Sequence, residues 1–386
     1  MMGVSQLFEI KARAIERARE LGAGSVRIAS AERDAVTEAR MRTAFERGDL
    51  ITWGYDASYA ARSAAPDTLL PNAKTVLCVA LPYATAAPAA GRGQGLVSNY
   101  AWSLDYHHRM RELLREVART IDEAAGESVT AIACDTKPIA ERAFAQHAGV
   151  GWVGKHTNLI SPELGSFVFL GEIVTTLALP VDQPLRKTCG NCSRCVEVCP
   201  TGALRGDYTI DAGKCISDLT QRTDGIPRAM RPLIGTWVWG CDLCQLVCPP
   251  TMRRSPNAGV SSTPLNADVA APDLQELLRL KSSVFKRRYR ATGAGWRGAA
   301  ILRRNAAVAL GNGLDRASVP ALARALEADH HPMVRGHAAW ALGRIASPAA
   351  LRALMARIGA EQHADVCEEI SEALATIGTS HTFTQV

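Results

Sequence analysis

No uninterrupted apolar run in these 386 residues approaches the roughly 20 positions that a membrane-spanning helix needs. The hydrophobic share, 47%, is ordinary for a globular protein, and the length predicts two or three domains. The apolar core of a secretory leader is missing as well. Residues 1–29 carry Glu9, Lys11, Arg13, Glu16, Arg17, Arg19 and Glu20 spread through them, which predicts an amphipathic helix. With these absences, cysteines spaced as cluster ligands, which must stay reduced as thiolates, predict a cytoplasmic protein. A third absence is local: the stretch 281–304 has no acidic residue, in a chain whose net charge is only +6.

Cysteine is abundant. Eight of the eleven fall in two blocks. The first reads Cys189-Gly-Asn-Cys192-Ser-Arg-Cys195-Val-Glu-Val-Cys199-Pro200, the C-x2-C-x2-C-x3-C-P run of bacterial ferredoxins. The second is Cys215, then Cys241-Asp-Leu-Cys244-Gln-Leu-Val-Cys248-Pro249, with Cys215 standing in from upstream for a missing local ligand. In such runs three thiolates hold one cluster and the fourth reaches a second. The sorting expected is Cys189, Cys192, Cys195 and Cys248 on one 4Fe–4S cluster, and Cys199, Cys215, Cys241 and Cys244 on the other. Two adjacent clusters make a one-electron relay. Paired zinc sites usually have shorter intervening loops and no terminal Cys-Pro. A disulfide framework suits small secreted chains. Cys78, Cys134 and Cys367 sit in apolar surroundings and read as buried hydrophobes.

The last third is a repeat. Leu302-Arg-Arg-Asn-Ala306-Ala-Val-Ala-Leu310-Gly311 recurs 32 residues later from Val334 and again from Val366, the signature of a short HEAT-like solenoid. Just before and into it lie Lys281, Lys286, Arg287, Arg288, Arg290, Arg297, Arg303 and Arg304, interleaved with Phe285, Tyr289 and Trp296. Basic and aromatic groups together suit a phosphate backbone and exposed bases. A solvated basic face is the plainer alternative. Thr251–Asp273 reads as a connector into a helix at Leu274–Leu280.

The N-terminal part mixes strands and helices. Val76–Leu81, Val129–Cys134 and Ser166–Leu177 are apolar runs suited to strands, the last to one strand or a pair. Ser103–Ile121 has helical spacing at Met110, Leu113, Leu114, Val117 and Ile121, and Pro138–Ala148 predicts a helix opened by its proline. Asp135 follows a strand. A carboxyl group there, if desolvated, stays protonated near neutral pH and suits a general acid; a turn or cap is the plain alternative.

The combination of Asp135-Thr-Lys-Pro-Ile-Ala-Glu141-Arg-Ala, Gly151-Trp-Val-Gly-Lys155-His-Thr-Asn158-Leu-Ile, Tyr100-Ala-Trp-Ser-Leu-Asp105-Tyr-His107, the split cysteine set and the RNAAVALGN repeat resembles the epoxyqueuosine reductases. The likeness runs from about residue 7 to 377. It implies an α/β (α+β) cobalamin-binding catalytic domain over 1–180, a ferredoxin-like two-cluster insert over 181–255, and a basic helix with HEAT-like repeats over 273–378. It also implies reduction of epoxyqueuosine to queuosine at the wobble position of tRNA, with electrons fed singly through the clusters to cobalamin. The family's proton donor falls on Asp135. Cobalamin contacts fall on Arg62, Ser98, Asp135, Leu159, Leu170 and Ser217, with Gln221 and Gln245 near the same face. Arg222 joins the basic stretch among the implied tRNA contacts. The segment Gly48–Tyr59 departs from the family pattern, which leaves the pocket beside it undefined. The implied partners are tRNA and a low-potential electron donor, and nothing calls for more than a monomer. Two other functions fit part of the pattern. A cobalamin-dependent reductive dehalogenase shares the cofactors but should lack the basic stretch and solenoid. A non-enzymatic electron-transfer adaptor docking on nucleic acid leaves Asp135 without a role.

Overall fold

The computed structural model describes residues 2–86, 90–254 and 267–382. Two compact units divide the chain. The first comprises Met1–Ala86, Asp105–Cys215 and Asp242–Thr263, and the second Ala87–Leu104, Ile216–Cys241 and Pro264–Val386.

In the first unit, helix α1 (Val4–Glu20) is followed by strands β1 (Ser25–Ser30) and β2 (Thr75–Pro82), helix α2 (Tyr106–Ala125), strand β3 (Thr130–Ala133), helix α3 (Glu141–His147) and strand β4 (Val168–Thr175). The sheet order is β1-β2-β4-β3, antiparallel throughout, which is the α+β form of the expected class. Because side chains alternate along a strand, β2 serves two cores. Leu77, Val79 and Leu81 pack with Met110, Leu113, Leu114, Val117 and Ile121 of α2, and with Ile10 and Ala14 of α1. Val76, Cys78 and Ala80 pack on the other face with Phe144 and Ala145 of α3. This double burial explains the continuous apolar run in β2.

Two sequence expectations are corrected and one open choice is resolved. The N-terminal helix ends at Glu20, not near residue 29, because Gly22 turns the chain with φ +94° into β1. The helix expected from Pro138 begins at Glu141, since Asp135 takes the left-handed conformation with φ +54° and residues 135–140 form a turn. The run Ser166–Leu177 makes one strand, not two.

The cysteine blocks bring helices α4 (Arg194–Val198) and α5 (Leu243–Leu246) against each other. All eleven cysteines are unbridged. Cys78 and Cys134 are buried, whereas Cys367 is half-exposed and donates its thiol hydrogen to the Glu361 carbonyl.

The second unit is built on five helices: α6 (Ala299–Gly313), α7 (Val319–Ala328), α8 (Pro332–Ile345), α9 (Pro348–Ile358) and α10 (Ala364–Thr382). The 32-residue period is physical as well as sequential. A Cβ on Gly311 would stand 2.8 Å from Ala341 Cβ, and one on Gly343 2.6 Å from Ala373 Cβ, so each interhelix contact needs its glycine. Arg303 pairs with Asp329 at 2.7 Å and Arg335 with Glu361 at 2.8 Å, again one repeat apart. The connector Thr251–Asp273 lies partly outside the described residues. The helix after it is shorter than expected, Leu274–Leu278. Among the described residues no helix is long and apolar enough to cross a membrane.

Candidate active site and nucleic-acid face

Asp135 stands one residue beyond Cys134, just past the end of β3, on its left-handed turn. The sequence leaves open a desolvated acid or a turn residue, and the turn is what forms: the side chain is 60% exposed, with the His107 Nε2 3.2 Å from its Oδ2. The other ring nitrogen, Nδ1, lies 2.6 Å from Asp105 Oδ1. Asp105 caps the start of α2, so the helix positions His107 between two carboxylates. Hydrogen bonds to Asp105 and then Asp135 raise the His107 pKa to about 9, against a smaller desolvation effect. At neutral pH the ring is therefore an imidazolium donating to both acids.

Desolvation falls on two other carboxyls, one half-buried and one fully buried. Glu141, at the start of α3, accepts the Asp135 backbone N–H at 2.5 Å. Desolvation lifts its pKa to about 7, and that hydrogen bond opposes the rise. Glu172 on β4 is fully buried, and neither of its oxygens has a hydrogen-bond partner. Burial pushes its pKa well above the carboxylate range, with further upward pressure from Glu141 and Asp135. His107 and Glu141 stand inside the sequence motifs and Glu172 inside an apolar run, and none of the three carried an expected role. A single glutamate in that run was the available signal for Glu172. Tyr55 adds a second surprise, because the Asp135 charge helps raise its pKa to about 12, after burial and its neighbour Tyr59. The segment Gly48–Tyr59 thus borders the Asp135 turn. Beside it the rings of Tyr83, Phe169, Tyr106 and His107 form a stacked column with centroid spacings of 4.2, 3.9 and 4.1 Å.

The candidate cobalamin contacts are divided between units. Arg62, Asp135, Leu159, Leu170 and Gln245 belong to the first, and Ser98, Ser217 and Gln221 to the second. Arg62 is exposed and Leu170 half-buried. Leu159 packs its side chain into the core with Phe144, so only its backbone can meet a ligand. Gln245 and Ser98 are buried, 8% and 2% exposed. Gln221 donates to the Ser217 hydroxyl and carbonyl, both at 3.0 Å.

The thiols of the first predicted set lie in one unit. Cys248 is buried with Trp152 and Ile160, and Cys189 packs against them. Burial raises the pKa values of Cys195 and Cys248, and the neighbouring Cys189 adds to both. Thiolates that repel one another in this way fit a shared iron cluster, which neutralises them. Among the described residues no group of three Cys, His, Asp or Glu is placed for a single metal ion. Of the second set, Cys199 has a lowered pKa. Burial raises it, but the Thr201 hydroxyl at 3.5 Å and the backbone N–H groups of Ala203 and Leu204 outweigh burial. Donors aimed at a sulfur are what a ligating thiolate requires.

The basic stretch is only partly a surface. Lys281, Lys286, Arg287 and Arg290 are exposed. Arg297 stacks on the exposed Trp296, 3.7 Å from its ring centroid. Phe285 and Tyr289 are buried, so neither can stack on a base. Arg303 is bound to Asp329, and Arg304 is fully buried. Both are withdrawn as RNA contacts. Arg288 lies 3.6 Å from Asp268 and 3.8 Å from Glu276. Arg222 makes a two-point pair with Asp224 at 2.7 and 2.9 Å.

Seven of the eight clustered thiols, in the same unit as an acid hydrogen-bonded to an imidazolium, place the chain among the iron–sulfur oxidoreductases. Family models agree with this. Residues 188–251 match a 4Fe-4S double cluster binding domain, 64–136 match epoxyqueuosine reductase QueG, and 298–375 match HEAT repeats. An epoxyqueuosine reductase of Bacillus cereus is 33% identical over 326 residues, 83% of this chain and 86% of that one. A crystal structure of epoxyqueuosine reductase with an epoxyqueuosine-modified tRNA-Tyr stem loop superposes with TM-score 0.89 at 30% identity, covering 96% of this chain and all of that one. A Bacillus subtilis epoxyqueuosine reductase, solved with the loop of its catalytic aspartate swung out of the active site, gives 0.88 at 29% identity, covering 96% and 99%. The chain belongs to the epoxyqueuosine reductase family, and it is an oxidoreductase.

Proposed function

We propose that this chain converts epoxyqueuosine to queuosine at the wobble position of tRNA, as a cytoplasmic monomer, with Asp135 delivering a proton to the departing epoxide oxygen. The observation that carries this reading is the exposed Asp135 carboxylate hydrogen-bonded to an imidazolium. His107 holds a proton at Nε2, within reach of the Asp135 oxygen that would pass it on. Cobalamin, when bound, supplies the two-electron chemistry at cobalt. Arg62, Ser98, Asp135, Leu159, Leu170, Ser217, Gln221 and Gln245 would hold it. An exposed acid next to a half-buried apolar strand end fits a large macrocycle that needs one polar and one apolar contact. Cys189, Cys192, Cys195 and Cys248 would hold one cluster, and Cys199, Cys215, Cys241 and Cys244 the other, charged by a low-potential donor. Functionally the chain then divides into a catalytic part over 1–180, a cluster part over 181–255 and an RNA-binding part over 273–378. The test is turnover of epoxyqueuosine-containing tRNA by the cluster-loaded protein with a low-potential reductant. Queuosine should form only when cobalamin is added, and formation without it would sink this reading.

Cys215 is the displaced member of its set. Cys215→Ala should lose about half the iron and keep the other cluster's absorbance. Full iron with an unchanged spectrum would make Cys215 an ordinary core residue.

The exposed groups Lys286, Arg287 and Arg290 would bind the tRNA backbone. Replacing all three with Ala should raise the KM for tRNA and flatten the salt dependence of binding, by about 0.7–0.9 in slope for each phosphate that is no longer neutralised. The single-turnover rate at saturating tRNA should hardly change, since these groups contribute uniform binding. Unchanged binding with a collapsed rate would place the docking face elsewhere.

A further inference from the structure

Apart from Leu159, the motif Gly151-Trp-Val-Gly-Lys155-His-Thr-Asn158-Leu-Ile takes no part in the reaction. Within the first unit it folds into a hairpin of two short antiparallel strands, Trp152–Val153 and Leu159–Ile160, with Trp152 opposite Ile160. Gly151 is required where it stands, because a Cβ there would collide with the Ile160 carbonyl oxygen. The hairpin is fastened to the first cysteine block. Lys155 Nζ donates to the Gly190 carbonyl at 3.0 Å, inside the turn that the Cys192 N–H closes on the Cys189 carbonyl at 3.1 Å.

Trp152 and Ile160 form a small buried group with Cys248, and Cys189 packs against it. Trp152 is 8% exposed, and its indole Nε1 has no hydrogen-bond partner among the described residues. Neither an oxygen nor a cysteine sulfur of those residues accepts this proton. A buried donor left unmet is costly, and a buried indole N–H usually finds an acceptor. The two cysteines beside the ring both belong to the set read as ligands of one cluster. A cluster held by them brings inorganic sulfide into the same pocket, and sulfide accepts hydrogen bonds. Such bonds are among the levers that set a cluster's potential.

We propose that Trp152 tunes the cluster held by Cys189, Cys192, Cys195 and Cys248 by donating its indole N–H to a sulfide of that cluster. On reduction the cluster takes one electron from the low-potential donor and gains one negative charge, and no bond forms or breaks. A hydrogen-bond donor favours the more negative form. Trp152 therefore raises the potential and makes this cluster easier to charge. The inference rests on the reading that these four cysteines bind a cluster, which iron analysis of the parent protein checks first.

The test uses the full chain loaded with both clusters. Trp152→Phe removes the N–H and keeps an aromatic ring in the pocket. It should retain parental iron and shift the reduction equilibrium of one cluster about tenfold toward the oxidised form, a fall of about 59 mV for one electron. The other cluster's midpoint should not move. Ile160→Val trims the same pocket without touching the N–H and should leave both midpoints in place. Equal shifts in the two variants, or none in Trp152→Phe, would make Trp152 a packing residue and overturn the proposal. A second arm needs no variant to load its iron. With the tryptophan indoles labelled with nitrogen-15, pulsed electron paramagnetic resonance of the reduced parent should show a nitrogen-15 coupling to a cluster. Its absence, or its survival in Trp152→Phe, would also overturn the proposal. A parent protein that bound no iron would bring down the cluster reading first and this proposal with it, so the two failures are told apart.

Discussion

Asp135→Asn should retain both clusters and bound cobalamin and lose ~10²–10⁴-fold in turnover, the usual scale for removing a general acid. Asparagine keeps the shape of the side chain, and as a turn former it tolerates the left-handed φ of +54°. It still accepts a hydrogen bond from His107 Nε2, but it cannot take that proton and hand it on. The backbone N–H that Glu141 accepts is also unchanged. The defect should therefore appear in kcat at saturating tRNA and not in KM. In the parent enzyme the rate should fall as pH rises through about 9, because the raised His107 pKa keeps the ring charged only below that value. A variant with parental turnover across pH would remove Asp135 from the chemistry.

Arg304→Ala should destabilise the second unit by about 3–5 kcal/mol, the range for taking one partner from a buried charged network. The Arg304 guanidinium donates to the carbonyls of Leu219 and Thr220 at 2.9 and 3.1 Å and to those of Arg222 and Asp224 at 2.9 and 2.6 Å. It also donates twice to Asn305 Oδ1, at 2.9 and 2.8 Å. Asn305 then donates to the Thr220 and Val238 carbonyls, both at 2.7 Å. These four carbonyls cluster at and just beyond the end of the short helix Ile216–Gln221, so one side chain closes that helix end and the turn after it. Removal leaves four carbonyls without this donor. Lysine should not rescue the loss, because a point charge cannot match the planar fork. Thermal melting is the readout, with a drop of roughly ten degrees expected for a unit of this size. A melting temperature within about two degrees of the parent would contradict this structural role.

That second prediction shows where sequence reading succeeds and where it stops. The cysteine blocks were legible because cluster ligation demands fixed spacing along a short chain. The solenoid was legible because each repeat must present small residues at the same place, as Gly311 and Gly343 do. Arg303 and Arg304 misled because charge alone does not say which face of a helix a residue occupies. The 32-residue offset held part of the answer, since Arg303 aligns with Arg335 and Asp329 with Glu361. The same limit applies at Asp135. The family likeness located the residue, but its exposure and the burial of Glu172 depend on strand register and on where α3 lies. Phe285 and Tyr289 went into the core for a similar reason, because aromatic side chains beside basic ones serve packing as readily as stacking.

The central claim is the substrate, and nucleoside analysis of tRNA tests it most directly. Cells lacking this protein should accumulate epoxyqueuosine in their tRNA and contain no queuosine. Restoring the parent chain should return queuosine, and restoring Asp135→Asn should leave epoxyqueuosine in place. Normal queuosine in the deleted cells, with no accumulated epoxide in a strain that has no second such reductase, would contradict the account.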